Sequence, residues 1–290
     1  MNSKLNSYIL TLTKKYNLDS LEVTSNSREL IIMLLAEIKK TSIANIKLDM
    51  VKITEEDSLI LEEMLDKIAN KKIPPQYVIN KEYIYGNEFF VNENVLIPRQ
   101  DTETLIEFAI ETVNKNNFKT LLDLCTGSGI IGINMALNTS LEEVTLSDIS
   151  NQALQVARKN TILNQVENRC KIIQSNMFEN LYKLNDKYDI IVSNPPYLTN
   201  SQMNEISEFV EKEPKEALNG GKDGLKFYKI IYDKAKHFLK NNGVIAVEIG
   251  FSQAEDVINL ISKHKEYTNI RVIKDINNKD RVVVCHFQNK

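Results

Sequence analysis

The chain has 290 residues, 42% of them hydrophobic and 26% charged, with 36 basic side chains against 39 acidic ones. That balance fits a soluble globular protein with a full core, in one large or two ordinary domains. A net charge of −3 lacks the basic excess of a dedicated duplex binder, so a protein or small molecule is the expected partner rather than extended nucleic acid.

Cys125, Cys170 and Cys285 are odd in number and lack metal-ligand spacing, so they read as reduced thiols rather than a disulfide framework. Residues 1–6 carry no apolar leader, and no run approaches the roughly 18 apolar residues of a membrane span. The expectation is a cytoplasmic protein with no membrane partner and no metal.

Residues 1–72 read as helical. Residues 27–38 place apolar side chains at helical spacing behind a Ser27 cap. A second helix starts at Thr54-Glu55-Glu56-Asp57, carries Leu59, Leu61, Met64, Leu65 and Ile68 towards a core, and ends near Asn70, ahead of Pro74-Pro75. This part holds almost no strand signal. It reads either as a stabilising cap or as a docking module for a macromolecular substrate.

Residues 73–98 change character. Tyr77, Tyr83, Tyr85, Phe89, Phe90 and Val91 around Gly86 and Asn87 predict a β-hairpin that links two domains, its aromatics serving packing.

From about residue 101, helix and strand alternate. Helices are expected over 102–113, 130–137 and 151–164, and strands over 120–124, 144–147, 171–174, 190–193, 244–249 and 281–287. Repeated βα units imply a doubly wound, mostly parallel sheet with ligands at strand C-terminal ends. The turn at Asn277-Asn278-Lys279-Asp280 makes the last strand one arm of an antiparallel hairpin.

Two strand ends carry chemistry. At the first, Asp123 precedes the loop Cys125-Thr126-Gly127-Ser128-Gly129, whose glycines let a ligand approach backbone N–H groups. No Gly-Lys-Ser/Thr follows, so it is not a P-loop. The dinucleotide fingerprint is also broken, with Cys125 at its first glycine.

An acid at Asp123 would repel phosphates and favour a cationic ligand such as the sulfonium of S-adenosylmethionine. Asp148, 21 residues beyond Gly127, closes the next strand, where a carboxylate can accept both ribose hydroxyls. Its bland alternative is a helix N-cap.

The second strand end is Asn194-Pro195-Pro196-Tyr197. Proline has no N–H and fixes its φ, so the ladder stops there. An Asn amide, two rigid carbonyls and an aromatic ring suit a planar NH2-bearing group, either an amide or a base amine. Asn194 read blandly is only a turn residue.

The chain resembles the protein-(glutamine-N5) methyltransferases, which modify the Gly-Gly-Gln glutamine of peptide chain release factors. The likeness runs through Ser27-Arg28-Glu29-Leu30, Ile97-Pro98-Arg99-Gln100-Asp101-Thr102-Glu103, Asp123 to Gly129, Asp148, Val192 to Tyr197, Glu213-Pro214, Gly220-Gly221-Lys222-Asp223-Gly224 and Glu248-Ile249-Gly250. It departs at Cys125, where members commonly have Gly, and at Gln100, where they commonly have Pro. Cys125 is small, and the loop is expected to survive it.

The resemblance implies a Rossmann-like class I methyltransferase sheet with an antiparallel last strand, covering residues 99–290, behind a helical substrate-docking domain. It implies S-adenosylmethionine held by Asp123, Cys125, Thr126, Gly127, Ser128, Gly129, Asp148, Asn176, Met177 and Asn194. Asn176 and Met177 fall where such enzymes contact adenine.

Release factors are the implied partners of a monomer that holds no stable nucleic acid. Asn194, Pro195, Pro196 and Tyr197 form the implied catalytic and substrate-binding set. Asn194 and Pro195 carbonyls would accept the two amide N–H bonds, and Tyr197 would cover the amide. Arg99 and Glu103 read equally as a mutual ion pair or as substrate contacts, and Arg281 with Asp280 as a turn. Two rivals share these residues: an adenine or guanine N-methyltransferase with a flipped base, and a non-catalytic cofactor-binding protein.

Overall fold

A computed structural model describes residues 3–22, 26–184 and 186–289. Parts of the sequence expectations fall on Met1, Asn2, residues 23–25, Asn185 and Lys290, which lie outside them. The chain forms two compact units, Met1–Asn80 with Ser207–Lys212, and Lys81–Ile206 with Glu213–Lys290.

The first unit is helical, with α1 (Ser3–Lys15), α2 (Ser27–Ile38), α3 (Ile43–Lys47), α4 (Glu55–Ala69) and α5 (Pro75–Ile79). Leu12, Ile31, Leu34, Leu35, Leu61, Leu65 and Ile68 bury its core. The cap of α2 is Asn26 rather than Ser27: the Asn26 side chain accepts from the N–H groups of Arg28 and Glu29. The Ser27 hydroxyl instead donates to Asp19 at 2.5 Å.

α4 begins with a capping box, Thr54 and Asp57 each accepting the other's backbone N–H, a device of about 1 kcal/mol. Leu59 does not enter the core; it is 72% exposed. The buried stripe of α4 is Leu61, Leu65 and Ile68, and Leu59 lies about 200° around the helix from Leu61. α1 and α3 fall within the span expected to be helical, whereas α5 lies in the segment expected to be a β-hairpin linker, where Pro75 opens a short helix.

The second unit opens with the hairpin β1 (Lys81–Ile84) and β2 (Asn87–Phe90), paired antiparallel. Its two-residue turn has positive φ at both Tyr85 (53°) and Gly86 (75°), matching the strands' twist. The hairpin is not a free connector. Ile84 and Phe89 are buried in the core of this unit, and Asn160 exchanges two hydrogen bonds with the Phe90 backbone, at 2.7 and 2.9 Å.

Next come α6 (Glu103–Asn116), β3 (Thr120–Leu124), α7 (Ile130–Asn138), β4 (Glu143–Asp148), α8 (Asn151–Leu163), β5 (Cys170–Gln174) and β6 (Tyr188–Ser193). A short pair, β7 (Leu198–Thr199) with β8 (Asn219–Gly221), precedes α9 (Lys226–Lys234), β9 (Leu239–Glu248), α10 (Ala254–Ile261), β10 (Tyr267–Lys274) and β11 (Asp280–Phe287).

Seven strands form one sheet in the order β10-β11-β9-β6-β3-β4-β5. β5, β4, β3, β6 and β9 run parallel to one another, while β11 is antiparallel to both β9 and β10. The expected antiparallel last hairpin is therefore present, and β10 is its unpredicted arm.

Strand alternation divides the core between two faces. Leu121, Ile190, Val192, Val244 and Ala246 pack with residues of α6 and α7 on one face. Leu122, Leu124, Ile191, Ile245 and Val247 pack with residues of α9 and α10 on the other. Sequential winding reverses direction between β3 and β6. Doubly wound sheets open their ligand crevice at such a reversal.

Candidate active site

The C-terminal ends of β3 and β6 lie side by side at that reversal, tied by the Ser193 hydroxyl, which donates to the Leu124 carbonyl at 2.7 Å. Between the loops that leave them, a cleft of about 970 Å³ opens, floored by the ends of β4 and β5.

The first loop survives the Cys125 substitution. Cys125 adopts a left-handed φ of 57°, a conformation costing a non-glycine residue roughly 1–2 kcal/mol. Thr126 N–H to Ser147 O at 3.0 Å and Gly129 N–H to Thr126 O at 2.8 Å hold the turn. The Cys125 sulfur lies 3.8 Å from that of Met177. Cys125, Thr126, Gly127 and Ser128 all line the cleft. Gly129 caps α7 behind them.

Asp123 does not face the cleft. It is fully buried, and its Oδ2 accepts from the Thr126 hydroxyl at 2.6 Å and the Gly132 N–H at 3.0 Å. Burial pushes its carboxyl up to about 7, and among the described residues its Oδ1 has no hydrogen-bond partner. A cationic ligand in the cleft would not touch it. Asp123 braces the loop from beneath.

Asp148 does line the cleft. Its Oδ2 accepts from Gly127 N–H and its Oδ1 from Ser150 N–H, both at 2.9 Å. An ionised carboxylate has about four acceptor positions, so two remain for ligand hydroxyls. Burial raises its carboxyl above the usual range, and the N–H bonds oppose that rise. The cap of α8 is Ser150, not Asp148.

Asn176 and Met177 also line the cleft. The Asn176 amide nitrogen donates to Glu179 at 2.9 Å, which leaves its carbonyl oxygen to accept from a ligand.

At the second loop, Asn194 is half-buried and lines the cleft, as does Pro196. The Asn194 Nδ2 donates to the Thr102 hydroxyl at 3.3 Å. Pro195 is buried, and neither it nor Tyr197 lines the cleft.

Tyr197 packs instead against the core beneath α9 and α10, its carbonyl accepting from Gln253 at 3.1 Å. Burial pushes its phenol up to about 12. Gly220 permits this packing, since a Cβ there would stand 2.7 Å from the Tyr197 Cα and 2.8 Å from the Pro196 carbonyl.

The charged neighbours pair differently from their sequence reading. Arg99 lines the cleft and pairs with Glu213, which also accepts from Ile97 N–H at 3.0 Å. Glu103 accepts instead from Tyr85 N–H at 2.8 Å. Arg281 does not pair with Asp280; it holds Asp101 at 2.8 Å and Asp275 at 3.2 Å.

Sequence reasoning missed Thr102 and Ile149 on the cleft, and Glu248 beside it. The available signal for Glu248 was an acid closing an apolar strand, the same signal that marked Asp123. Among the described residues, no group of three or more His, Cys, Asp or Glu side chains is placed to hold a metal.

A doubly wound seven-stranded sheet with one antiparallel strand, a glycine loop, an acid closing the next strand and an Asn-Pro-Pro-Tyr corner at the switch point define a class I methyltransferase. The methyltransferase small domain family matches residues 100–224.

Among solved structures, the catalytic domain of hMettl16 in complex with the MAT2A 3′UTR hairpin 6 superposes with a TM-score of 0.56. It is 12% identical and covers 82% of this chain and 84% of that one. A methyltransferase from Pyrococcus furiosus has a TM-score of 0.50 at 16% identity, covering 82% and 100%. Both show the fold.

The release factor glutamine methyltransferase of Borreliella burgdorferi is 38% identical over 278 residues, covering 95% of this chain and 92% of that protein. That of Clostridium acetobutylicum is 39% identical over 234 residues, covering 80% and 81%. The chain belongs to the release factor glutamine methyltransferase family.

Proposed function

We propose that this protein methylates the side-chain amide nitrogen of the Gly-Gly-Gln glutamine in a peptide chain release factor, in the cytoplasm, using S-adenosylmethionine. The observation that carries the reading is the Asn194 amide at the edge of the switch-point cleft: its nitrogen is held by Thr102, and its oxygen accepts no hydrogen bond among the described residues.

The cleft fits the cofactor. Gly127 faces open space, with no atom within 4 Å of where a Cβ would stand. Asp148 offers a carboxylate fixed by two N–H groups, Asn176 a spare carbonyl, and Ile149 and Met177 apolar surface. Thr126, Gly127 and Ser128 complete the wall. When bound, the cofactor supplies an electrophilic methyl group on a positively charged sulfur.

The chain's own residues make a poor nucleophile competent. An amide nitrogen has its lone pair delocalised into its carbonyl. The Asn194 Oδ1 accepts one of its N–H bonds, aims the nitrogen into the cleft and stabilises positive charge as it develops there. Pro195, buried off the cleft, is not placed to take the second bond expected of its carbonyl. Alignment of this kind is worth roughly 7–11 kcal/mol in effective molarity. Pro196 walls the site. Tyr197, which stands off the cleft, shapes the corner by packing rather than by covering the amide.

The test is transfer of a labelled methyl group from the cofactor to purified release factor, total RNA and DNA in parallel. Label should enter the release factor and vanish when its Gly-Gly-Gln glutamine is replaced. Asn194→Ala should bind cofactor normally and lose about 10²–10³ in kcat, the loss typical of removing one preorganised transition-state partner. Label on RNA or DNA alone, or near wild-type turnover by Asn194→Ala, would overturn the reading.

A further inference from the structure

We propose that Glu248 is a positioning residue that fixes which end of the Asn194 amide faces the cleft, acting directly and through the Thr102 hydroxyl. The inference rests on the reading of Asn194 given above.

Sheet register puts the two residues together. β6 pairs with β9 through Val192↔Ala246 and Ser193↔Val247. Asn194 and Glu248 fall one step further along, on the face that carries Ile190, Val192, Val244 and Ala246. Thr102 reaches the same point from the start of α6.

Thr102 stands at the N-cap position of α6 and makes no side-chain capping bond. Its hydroxyl accepts from Asn194 Nδ2 instead, and it is fully buried. Glu248 is 1% exposed. The Thr102 hydroxyl and the Asn194 amide are the polar side chains beside its carboxylate, and both pull its pKa down. Among the described residues its Oε2 has no hydrogen-bond partner.

An ionised carboxylate only accepts, so it selects the NH2 end of the Asn194 amide and leaves Oδ1 for the substrate's N–H. A protonated Glu248 can donate. It would accommodate the flipped amide, which then presents NH2 to the substrate's own NH2 and cannot hold it. The device therefore depends on charge.

Two charged groups face the Glu248 carboxyl, Arg281 from β11 and Asp101 from the turn before α6; nearby are the Tyr197 and Tyr228 phenols. Arg281 is already paired with Asp101 and Asp275. Burial, as the largest cause, pushes Glu248 up to about 7, against the pull of Thr102 and Arg281. Because its ionised form is the productive one, kcat should rise with pH through that region.

Glu248→Gln is isosteric and can offer either a donor or an acceptor, so it no longer selects. It should lower kcat about tenfold to a hundredfold at saturating substrate and remove the rise near neutral pH, with calorimetric cofactor affinity unchanged. On the free enzyme, the Asn194 side-chain N–H signals, assigned by their loss in Asn194→Ala, should shift with a midpoint near neutral pH in wild type. They should stay fixed in Glu248→Gln.

Should that variant not fold, Thr102→Val should lower kcat, and Thr102→Ser should restore most of the loss. Wild-type kcat and pH profile in folded Glu248→Gln, pH-independent Asn194 signals in wild type, or full activity in Thr102→Val would each overturn the proposal. If Asn194→Ala is inactive while those results hold, this inference alone fails. If Asn194→Ala is active, the reading of the site fails with it.

Discussion

The loops after β3 and β6 rest on similar acids that are supported in different ways. Asp123 and Glu248 are both fully buried at strand ends, and burial pushes each carboxyl up to about 7. Asp123 takes its hydrogen bonds from Thr126 and Gly132, three and nine residues along the chain. Glu248 has Thr102 and Asn194 as its polar neighbours, brought together only by a parallel strand pairing and the start of a helix. The glycine loop after β3 is a local object. The corner at Asn194 is built by the whole sheet, so it should be the more sensitive to changes made elsewhere.

The strongest probe of the local loop is Asp148→Ala. It deletes the carboxylate that holds Gly127 and Ser150 N–H groups and that would accept the ribose hydroxyls. Hydrogen bonds to charged groups are worth about 1.5–3 kcal/mol, so calorimetry should show cofactor affinity falling at least about tenfold. Unchanged affinity would remove Asp148 from the cofactor site and leave it as a loop brace like Asp123.

Gly132→Ala tests the brace itself. A Cβ at this position would stand 2.2 Å from a Leu146 methyl, 3.0 Å from a Val144 methyl and 3.2 Å from the Asp123 carboxylate. Overpacking of this kind costs about 1–3 kcal/mol. The denaturation midpoint should fall, and the loop should loosen without any change at Asn194. Wild-type stability would mean that α7 can shift to accept a methyl group, and that the loop is less tightly specified than its geometry indicates.

The same contrast explains what was legible in the sequence. The loop from Cys125 to Gly129, Asp148 and the Asn-Pro-Pro-Tyr corner are contiguous strings with local chemistry, and of these the structure brings Cys125 to Ser128, Asp148, Asn194 and Pro196 to one cleft. β3, β6 and β9 read as strands because their runs are apolar on both faces.

β10 escaped notice because it pairs only with β11, at the sheet's edge, and carries Thr268, Asn269, Arg271 and Lys274 among its apolar residues. Tyr197 was assigned to the ligand with the rest of its motif. Which side of the corner it takes depends on room made by Gly220, Gly224 and Gly250, far along the chain. Glu248 was quoted only as part of a resemblance. Its role becomes visible when register sets it beside Asn194.

The smallest effect separates the two acids by pH. For each, the folded-state value of about 7 lies above the ordinary carboxylate value of the unfolded chain, near 4. Between those limits the folded state binds the proton and the unfolded state does not. Stability from each group is thus fully present below about pH 4 and lost as pH rises through about 7.

Asp123→Asn should therefore flatten the fall in denaturation midpoint over that window, by at most about 1.4 kcal/mol per pH unit. Glu248→Gln should do the same. Only Glu248→Gln should also abolish the rise of kcat, because Asp123 does not line the cleft whereas Glu248 lies beside Asn194 across the β6–β9 pairing. If Asp123→Asn alone removed the rise, the proton that governs turnover would sit beneath the cofactor loop, and the long-range corner would be a passive wall.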